Sequence, residues 1–536
     1  MLHRLATRLT GVAWLGLVCF AAPGLAQDAP CLPIRHVEVQ GVESLPEASV
    51  RQAVMPFEGR CLGLAGFNAP LKAVTELYIE AGLITSRVYL PEQDLSTGVL
   101  RLAAVEGRIE NVVFNGRERQ LWERFTFPGI RDRVADLREI EQGLDNIRSM
   151  PSYQGVQMTL DAGSKSGLSV LQVAAVPDPK PWRLSFSTDN YGFEGDGEFN
   201  PTIGLGWDNL LGVNDSWDFS YTSAVDQAPF AIGEPGQSSQ QAAIGLTIPY
   251  GRWAYTLRQS WSAYETEIPG AISPIPVDGD SLETSFRARR LLGRDEVSKT
   301  HFALDLTRSH KRNNIAGVRI ATSSRVLTWL GAELSHQRAW RDGQLSGTLR
   351  FEQGIRALGA EDAGDQPSGQ PDAQYSLVML KADYEKSWQL SSGPGFALTW
   401  ISTAKLQYSP DRLYGGQQFL LGGNATARGS KISLAEGSSG AFWRNELWYR
   451  LHGPGQDSAF AAWLGYPVLY AGLDAGRVFG QSDIAIPGGS ALGGILGLRM
   501  SGGRISFDLG YAKILAVSDR LQKPEGHVRV ALGVSF

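Results

Sequence analysis

Beyond its first 26 residues the chain has no run of about 18 apolar residues, the length a membrane-spanning helix requires. If the mature chain crosses a bilayer, it must do so as strands closed into a barrel, which pairs its backbone polar groups internally. Cysteine is scarce, with three in 536 residues. His36, His301, His310, His336, His452 and His527 are scattered without ligand spacing, so no metal site is expected. Positive charge is not in excess. The formal net charge of −5 becomes −7 once residues 1–26, with Arg4 and Arg8 and no acid, are removed. That argues against a nucleic-acid partner. Gly437-Ser-Ser-Gly440 lacks the fifth position of a nucleophile elbow, and Gly204-Leu-Gly206 runs into Trp-Asp-Asn-Leu rather than a phosphate loop. Neither a nucleophile–base pair nor a cofactor motif is found, so an enzyme is not expected and no cofactor is assigned.

What is present begins with a secretory signal over residues 1–26. Arg4 and Arg8 form its basic start, Leu9 to Ala22 its apolar stretch, and Gly24-Leu-Ala26 its cleavage site. Cys19 leaves with it. Cys31 and Cys61 then remain in an oxidising compartment, most simply as a disulfide closing a loop of about 30 residues, worth roughly 3 kcal/mol in the entropy model. A metal pair is the weaker alternative. The 62 glycines and 10% aromatic content suit a barrel, which needs glycine in turns and aromatics at the membrane interfaces.

Residues 27–106 and 107–176 read as two successive α+β modules. The first has a strand over Ile34–Val39, a helix near Leu45–Met55, and a second helix carrying Leu71, Val74, Leu77 and Tyr78 at spacings of three and four. Strands Ser86–Leu90 and Val99–Ala104 close it. The second opens with Arg108–Phe114, continues through helical residues near Leu121–Phe125 and a helix with Leu137, Ile140, Leu144 and Ile147, and ends with strands Val156–Leu160 and Leu168–Ala174. A proline-rich linker, 177–181, follows.

From 182 to 536 the texture is alternating strands broken by Gly-rich turns. Trp182–Thr188, Asp215–Thr222, Ala242–Ile248, Trp253–Ala263, Phe302–Thr307, Leu345–Phe351, Leu398–Leu406, Leu469–Val478 and Ile505–Tyr511 are the clearest. In the last ten residues Val528, Val530, Leu532, Val534 and Phe536 share one parity and Arg529, Ala531, Gly533 and Ser535 the other. At about 22 residues per strand and connection, this region holds about 16 antiparallel strands. The expected fold is thus a membrane all-β barrel preceded by two α+β modules, its last strand pairing with the first near Trp182. Asp226–Gln241, Glu267–Leu282 and Ala357–Gln374 are polar and read as long extracellular loops.

Three segments make the reading more specific: Ala81-Gly-Leu-Ile-Thr-Ser-Arg-Val-Tyr-Leu-Pro-Glu-Gln-Asp-Leu95 leading to Val105-Glu-Gly107; Phe419-Leu-Leu-Gly-Gly-Asn-Ala-Thr-Ala-Arg-Gly-Ser430 followed by Trp443-Arg-Asn-Glu-Leu447; and Gly472-Leu-Asp-Ala-Gly-Arg-Val478. In this order they resemble the TpsB family, the outer-membrane transporters of two-partner secretion that include the haemolysin and filamentous-haemagglutinin exporters. Asp189-Asn-Tyr-Gly192 and Asn209-Leu-Leu-Gly-Val-Asn-Asp215 are similar to the family as well. The resemblance implies two periplasmic POTRA modules, a sixteen-stranded barrel and a loop around 415–440 folded into the lumen. It also implies ATP-independent export of a large TpsA-type exoprotein, capture of that partner by the modules (Arg87, Tyr89 and Leu90 are the candidates), and Phe536 as the signal read by the barrel-assembly machinery. Outer-membrane lipid is the remaining partner. A barrel-assembly insertase of the same superfamily is the alternative; a barrel enzyme or plain porin fits less well.

In the family the loop carries a Val-Arg-Gly-Phe/Tyr-type tip whose arginine meets an aspartate on the inner wall. Here Ala427-Arg428-Gly429-Ser430 keeps the arginine and glycine and loses both apolar flanks. Period two sets Leu469, Ala471 and Leu473 toward lipid, so Asp474 faces inward. A carboxylate desolvated beneath a loop needs a cation, and arginine can meet it with two parallel hydrogen bonds. Without the resemblance, the simpler reading is that they are two of many solvated lumen charges that never meet. Because only Gln27–Pro30 precede Cys31 after the cleavage site, no plug helix is expected, and the loop is left as the main occluder.

Overall fold

A computed structural model describes residues 31–153, 155–175, 180–194, 197–225, 238–362, 364, 370–390, 396–451, 463–479 and 488–536. The signal sequence, Gln27–Pro30 and most of the proline-rich linker lie outside the described residues.

One compact unit comprises residues 31–108 with 134–136 and 165–167. Helices Glu47–Val54 and Asn68–Glu80 cover a three-stranded sheet ordered His36–Gln40, Val99–Val105, Arg87–Tyr89. Val74, Tyr78, Leu100 and Leu102 are fully buried between the layers. The single strand expected over Ile34–Val39 is two strands. Arg35 N–H and His36 N–H both donate to Gly98 O, at 2.7 and 3.2 Å, so Leu32–Ile34 pairs with Arg60–Leu62 and His36–Gln40 with Val99–Val105. This break lets Ile34 and Val37, of opposite parity, both point into the core. Cys31 and Cys61 are disulfide-bonded across the short pair, Cα atoms 5.3 Å apart.

Glu106, from the Val-Glu-Gly segment, ties this unit together. Its carboxylate accepts from the backbone N–H groups of Glu43 and Ser44 at 2.9 and 2.8 Å, from Ser44 Oγ at 2.6 Å and from Tyr78 Oη at 3.0 Å. Burial pushes this carboxyl up, but the Ser44 and Glu43 donors outweigh it and hold it below the usual carboxylate range. On the sheet's edge, the Val37 backbone N–H bonds Glu58 and, with Arg51, holds that carboxyl low as well.

The second unit holds the other α+β module and the barrel. Helices Gln120–Thr126 and Leu137–Arg148 lie with a four-stranded sheet ordered Arg117–Glu118, Arg108–Phe114, Leu168–Ala175, Val156–Ala162. The module is fastened to periplasmic turns of the barrel. Asp145 accepts from Arg294 Nη1 at 2.7 Å and Lys299 Nζ at 2.6 Å, and Asn146 Nδ2 donates to Gly251 O at 2.7 Å. Phe125 meets Tyr250 edge to face, centroids 5.8 Å apart.

Sixteen antiparallel strands close the barrel, from Trp182–Asp189 to His527–Ser535. The closing seam pairs Ser185 with Ser535 through Asp189 with Ala531, five pairs against thirteen between Tyr466–Val478 and Gly489–Ser501. Val528, Leu532 and Phe536 are exposed on the lipid side while Arg529 is buried on the other. The inner wall carries charged clusters such as Arg350 with Asp305, at 2.6 and 2.8 Å. No helix among the described residues is long and apolar enough to cross a membrane, which says nothing of these strands.

The loop expected over Glu267–Leu282 is mostly strand. Trp253–Ile268 and Ile275–Arg294 pair through to Ile268 with Ile275, and the second reaches 20 residues, about twice what a bilayer needs. Above the membrane neither face meets lipid, so the polar sequence carries no alternation even though the ladder continues. Of Asp226–Gln241, Ser238–Gln241 belong to the strand Ser238–Tyr250, and 226–237 lie outside the described residues. The described part of Ala357–Gln374 contains no strand.

Candidate functional site: the loop folded into the lumen

Between strands Phe396–Tyr408 and Gly440–Leu451 the chain turns into the barrel. A short hairpin, Phe419–Gly422 with Ser433–Gly437, carries a tip over residues 423–432. The hairpin's apolar side supplies Phe419, Leu421, Ala427 and Ala435, which pack on the inward residues Val478, Ala491 and Ile514. Burying such side chains, each worth roughly 1.5–3 kcal/mol for the larger ones, holds the loop against one side of the wall. Thr426 Oγ1 clamps the tip's turn, accepting from Gly422 N–H at 2.8 Å.

The tip's chemistry is a buried ion cluster. Arg428, 4% exposed, donates Nε to Asp474 Oδ2 and Nη2 to Asp474 Oδ1, both at 2.7 Å, and its backbone N–H to Oδ2 at 3.1 Å. Its remaining arm, Nη1, bonds Glu446, whose other oxygen accepts from Trp448 Nε1 at 2.6 Å. Arg444 completes the set: Nε lies 3.3 Å from Asp474 Oδ1, and Nη2 donates to Asn424 O at 2.8 Å. Two cations face two carboxylates, so the cluster is neutral. That balance, with donors on every oxygen, is what lets Arg428, Asp474 and Glu446 sit out of water, with Arg444 partly exposed at the rim of the cluster.

Glycines make the approach possible at two points. Gly429 has φ +107°, a left-handed conformation, and a Cβ there would run into the Lys513 and Ile514 backbone. A Cβ at Gly493 would meet the Arg428 carbonyl. The tip's small flanks fit the same tightness: Ala427 is 0% and Ser430 3% exposed, and Ser430 Oγ bonds the Ile432 backbone in place of an apolar packing group.

The structure thus brings Arg428, Gly429 and Asp474 together. Glu446, Arg444 and Asn424 were not singled out from the sequence. Alternation in Gly440–Leu451 was the available signal, since Trp443 and Leu447 are exposed outward and so Arg444 and Glu446 point in. The tip also reaches the barrel's first connection and last strand. Lys431 O accepts from Glu194 N–H at 2.8 Å, Lys431 Nζ pairs with Glu198, and Arg529 Nη2 donates to Asn424 Oδ1 at 2.6 Å while stacking 4.0 Å over Tyr191. A cavity of about 360 Å³ lies beside Arg428, Glu446, Tyr470, Arg499 and Arg529.

In the first module, Arg87–Tyr89 is an outer strand of the sheet, with Tyr89 52% and Leu90 41% exposed. Arg87 is engaged internally, donating to Ile84 O and Ser86 O at 2.8 and 2.9 Å. Phe536 is exposed, and its backbone N–H closes the seam on Leu184 O at 2.9 Å. Among the described residues no cluster of His, Cys, Asp and Glu could hold a metal ion.

Residues 167–500 match the family model described as haemolysin secretion/activation protein ShlB/FhaC/HecB. The chain belongs to that family. Residues 32–107 and 108–161 match POTRA-domain models, the first of the ShlB type. The chain is 29% identical over 515 residues to the outer membrane transporter CdiB of Dickeya dadantii, covering 95% of this chain and 88% of that one. To the hemolysin transporter ShlB of Serratia marcescens it is 28% identical over 429 residues, 80% and 74% of the two chains. The solved structure of CdiB from Escherichia coli superposes with a TM-score of 0.83 at 28% identity, over 96% of this chain and 92% of that one. The protein is therefore an outer-membrane transporter of two-partner secretion, with its POTRA modules in the periplasm. Membership implies a cognate TpsA-type exoprotein.

Proposed function

We propose that the POTRA modules capture the unfolded exoprotein in the periplasm and pass it into a lumen that the Arg428 loop otherwise occupies. The observation that carries this reading is the clasp of Arg428 on Asp474 and Glu446. It is a neutral, releasable contact at the end of a hairpin, rather than a loop built into the barrel ladder. The exoprotein leaves as the loop shifts and folds outside; that folding, not ATP, supplies direction, and no covalent chemistry is involved.

Capture proceeds by strand addition, in which main-chain hydrogen bonds give affinity and flanking side chains give selectivity. The Arg87–Tyr89 edge suits this because Tyr89 and Leu90 stand exposed beside it, whereas the opposite edge has Val37 N–H already bonded to Glu58. Arg428→Ala should abolish export while leaving a folded, heat-modifiable barrel. A photo-crosslinker at Tyr89 in the full-length protein should capture the exoprotein in transit. Normal export from the Arg428 variant would sink the role of the loop, and no adduct from position 89 would move capture to another edge.

A further inference from the structure

The hairpin between strands Arg325–Trp340 and Gly343–Gly354 turns at the periplasmic end in two residues, Arg341 and Asp342. Both have positive φ, 50° and 61°. A two-residue hairpin of this kind favours Asn-Gly or Asp-Gly, since left-handed backbone is costly for other residues. Elsewhere in the barrel the two-residue turns follow that logic: Gly251 begins one and Gly317 ends another. Among the described residues, only here are two adjacent charged side chains held in the strained region, and strain kept at one position points to a use for the residue there.

Their surroundings point to the use. Trp340 and Trp388 are exposed on the lipid side of the wall, 44% and 37%. The Arg341 guanidinium sits 4.6 Å over the Trp340 ring, and Lys386 Nζ 5.5 Å over that of Trp388. Tyr384 joins the two sides, its ring edge to face with Trp340 at 5.8 Å. Lys386 Nζ donates to Arg341 O at 2.9 Å, which holds both cations at one corner. Asp342 is 95% exposed and 3.8 Å from Lys386, so the corner keeps one net positive charge. Lys180 over Trp182, Arg290 over Trp253 and Arg504 over Trp463 lie at the same end of the barrel. They mark the depth where indoles sit at the interface and cations reach headgroups.

We propose that Arg341 and Lys386, framed by Trp340, Tyr384 and Trp388, bind the phosphodiester headgroup of an anionic glycerophospholipid in the periplasmic leaflet. The guanidinium fork takes two phosphate oxygens, the ammonium a third contact, and the aromatic wall packs the upper acyl chain. One phosphodiester charge neutralises the corner's single excess charge.

The test uses the full-length transporter in nanodiscs of phosphatidylcholine, with and without phosphatidylglycerol, and native mass spectrometry of retained lipid. Phosphatidylglycerol should raise the thermal midpoint of the wild type by several degrees and be retained in preference to phosphatidylcholine. The double variant Arg341→Gln/Lys386→Gln should lose at least half of that rise. Lys72→Gln/Lys165→Gln, which removes the same charge from the POTRA modules, should keep it. Arg341→Asn/Asp342→Gly installs the relaxed turn: its midpoint in phosphatidylcholine should rise while its response to phosphatidylglycerol shrinks. No lipid preference in the wild type, or an undiminished response in both turn variants, overturns the proposal.

Discussion

Arg428 reaches the two oxygens of Asp474 at 2.7 Å from Nε and Nη2, and its own backbone N–H adds a third bond to the same carboxylate at 3.1 Å. Side chain and main chain of one tip residue are thereby fixed on a single inner-wall group, so displacing the tip breaks all three bonds together.

Removing one partner of a buried pair leaves an uncompensated charge and costs about 3–5 kcal/mol. Asp474→Ala should therefore open the clasp as effectively as Arg428→Ala, although Glu446 still faces the arginine. In planar bilayers the variant should show larger and more frequent conductance steps than the wild type. Glu446→Gln keeps a hydrogen bond and loses one charge, so its conductance should fall between the two, in line with roughly 1–3 kcal/mol.

Gly429→Ala adds a methyl where the Lys513–Ile514 backbone already stands and demands φ +107° of an alanine. The strain of such a backbone is of order 1–3 kcal/mol before the clash is counted. The tip should undock with Arg428 itself unchanged. Spin labels at Ala425→Cys, exposed on the tip, and Leu447→Cys, exposed on the outer wall, should report a broadened distance distribution between them.

Asp145 holds Arg294 and Lys299 against the second POTRA module. Asp145→Asn should loosen this attachment by about 1–2 kcal/mol, because the groups are only partly buried. Limited proteolysis of intact protein should then cut the module faster while the barrel's heat-modifiability stays unchanged. An unchanged cleavage rate would show that Asn146 and Phe125 suffice.

Acid should weaken the first module before the barrel. Glu106 and Glu58 are held below the usual carboxylate range in the folded chain. A carboxyl depressed by folding stabilises above its unfolded pKa, near about 4.3, and that stability is lost as pH falls through the lower folded value. Amide protection in residues 36–105, measured against the intrinsic exchange rate at each pH, should fall below about pH 4.3. Glu106→Gln should exchange faster at neutral pH and show a flatter pH response.

Legibility in the sequence followed the solvent. Where lipid meets one face of a strand and the lumen the other, alternation is forced, and Trp182–Asp189, Tyr466–Val478 and His527–Ser535 could be read within a few residues. Where Ile275–Arg294 runs beyond the membrane, both faces meet water and the alternation vanishes, so a paired strand looked like a loop. The break at Arg35 was hidden because the Gly98 carbonyl that makes it lies more than sixty residues away.

By itself the sequence determined the membrane environment, the two modules and the inward direction of Asp474, because each follows from local periodicity or composition. It also singled out Arg428, through a motif. Only the tertiary structure decided that Glu446 and Arg444 complete the cluster, that Ala427 and Ser430 are the size the docked tip allows, and that Arg341 and Lys386 share a corner. The physical reason is common to all three. Charge compensation and close packing are made between strands that are adjacent in the barrel and distant in the chain, and no period along one strand records its neighbours.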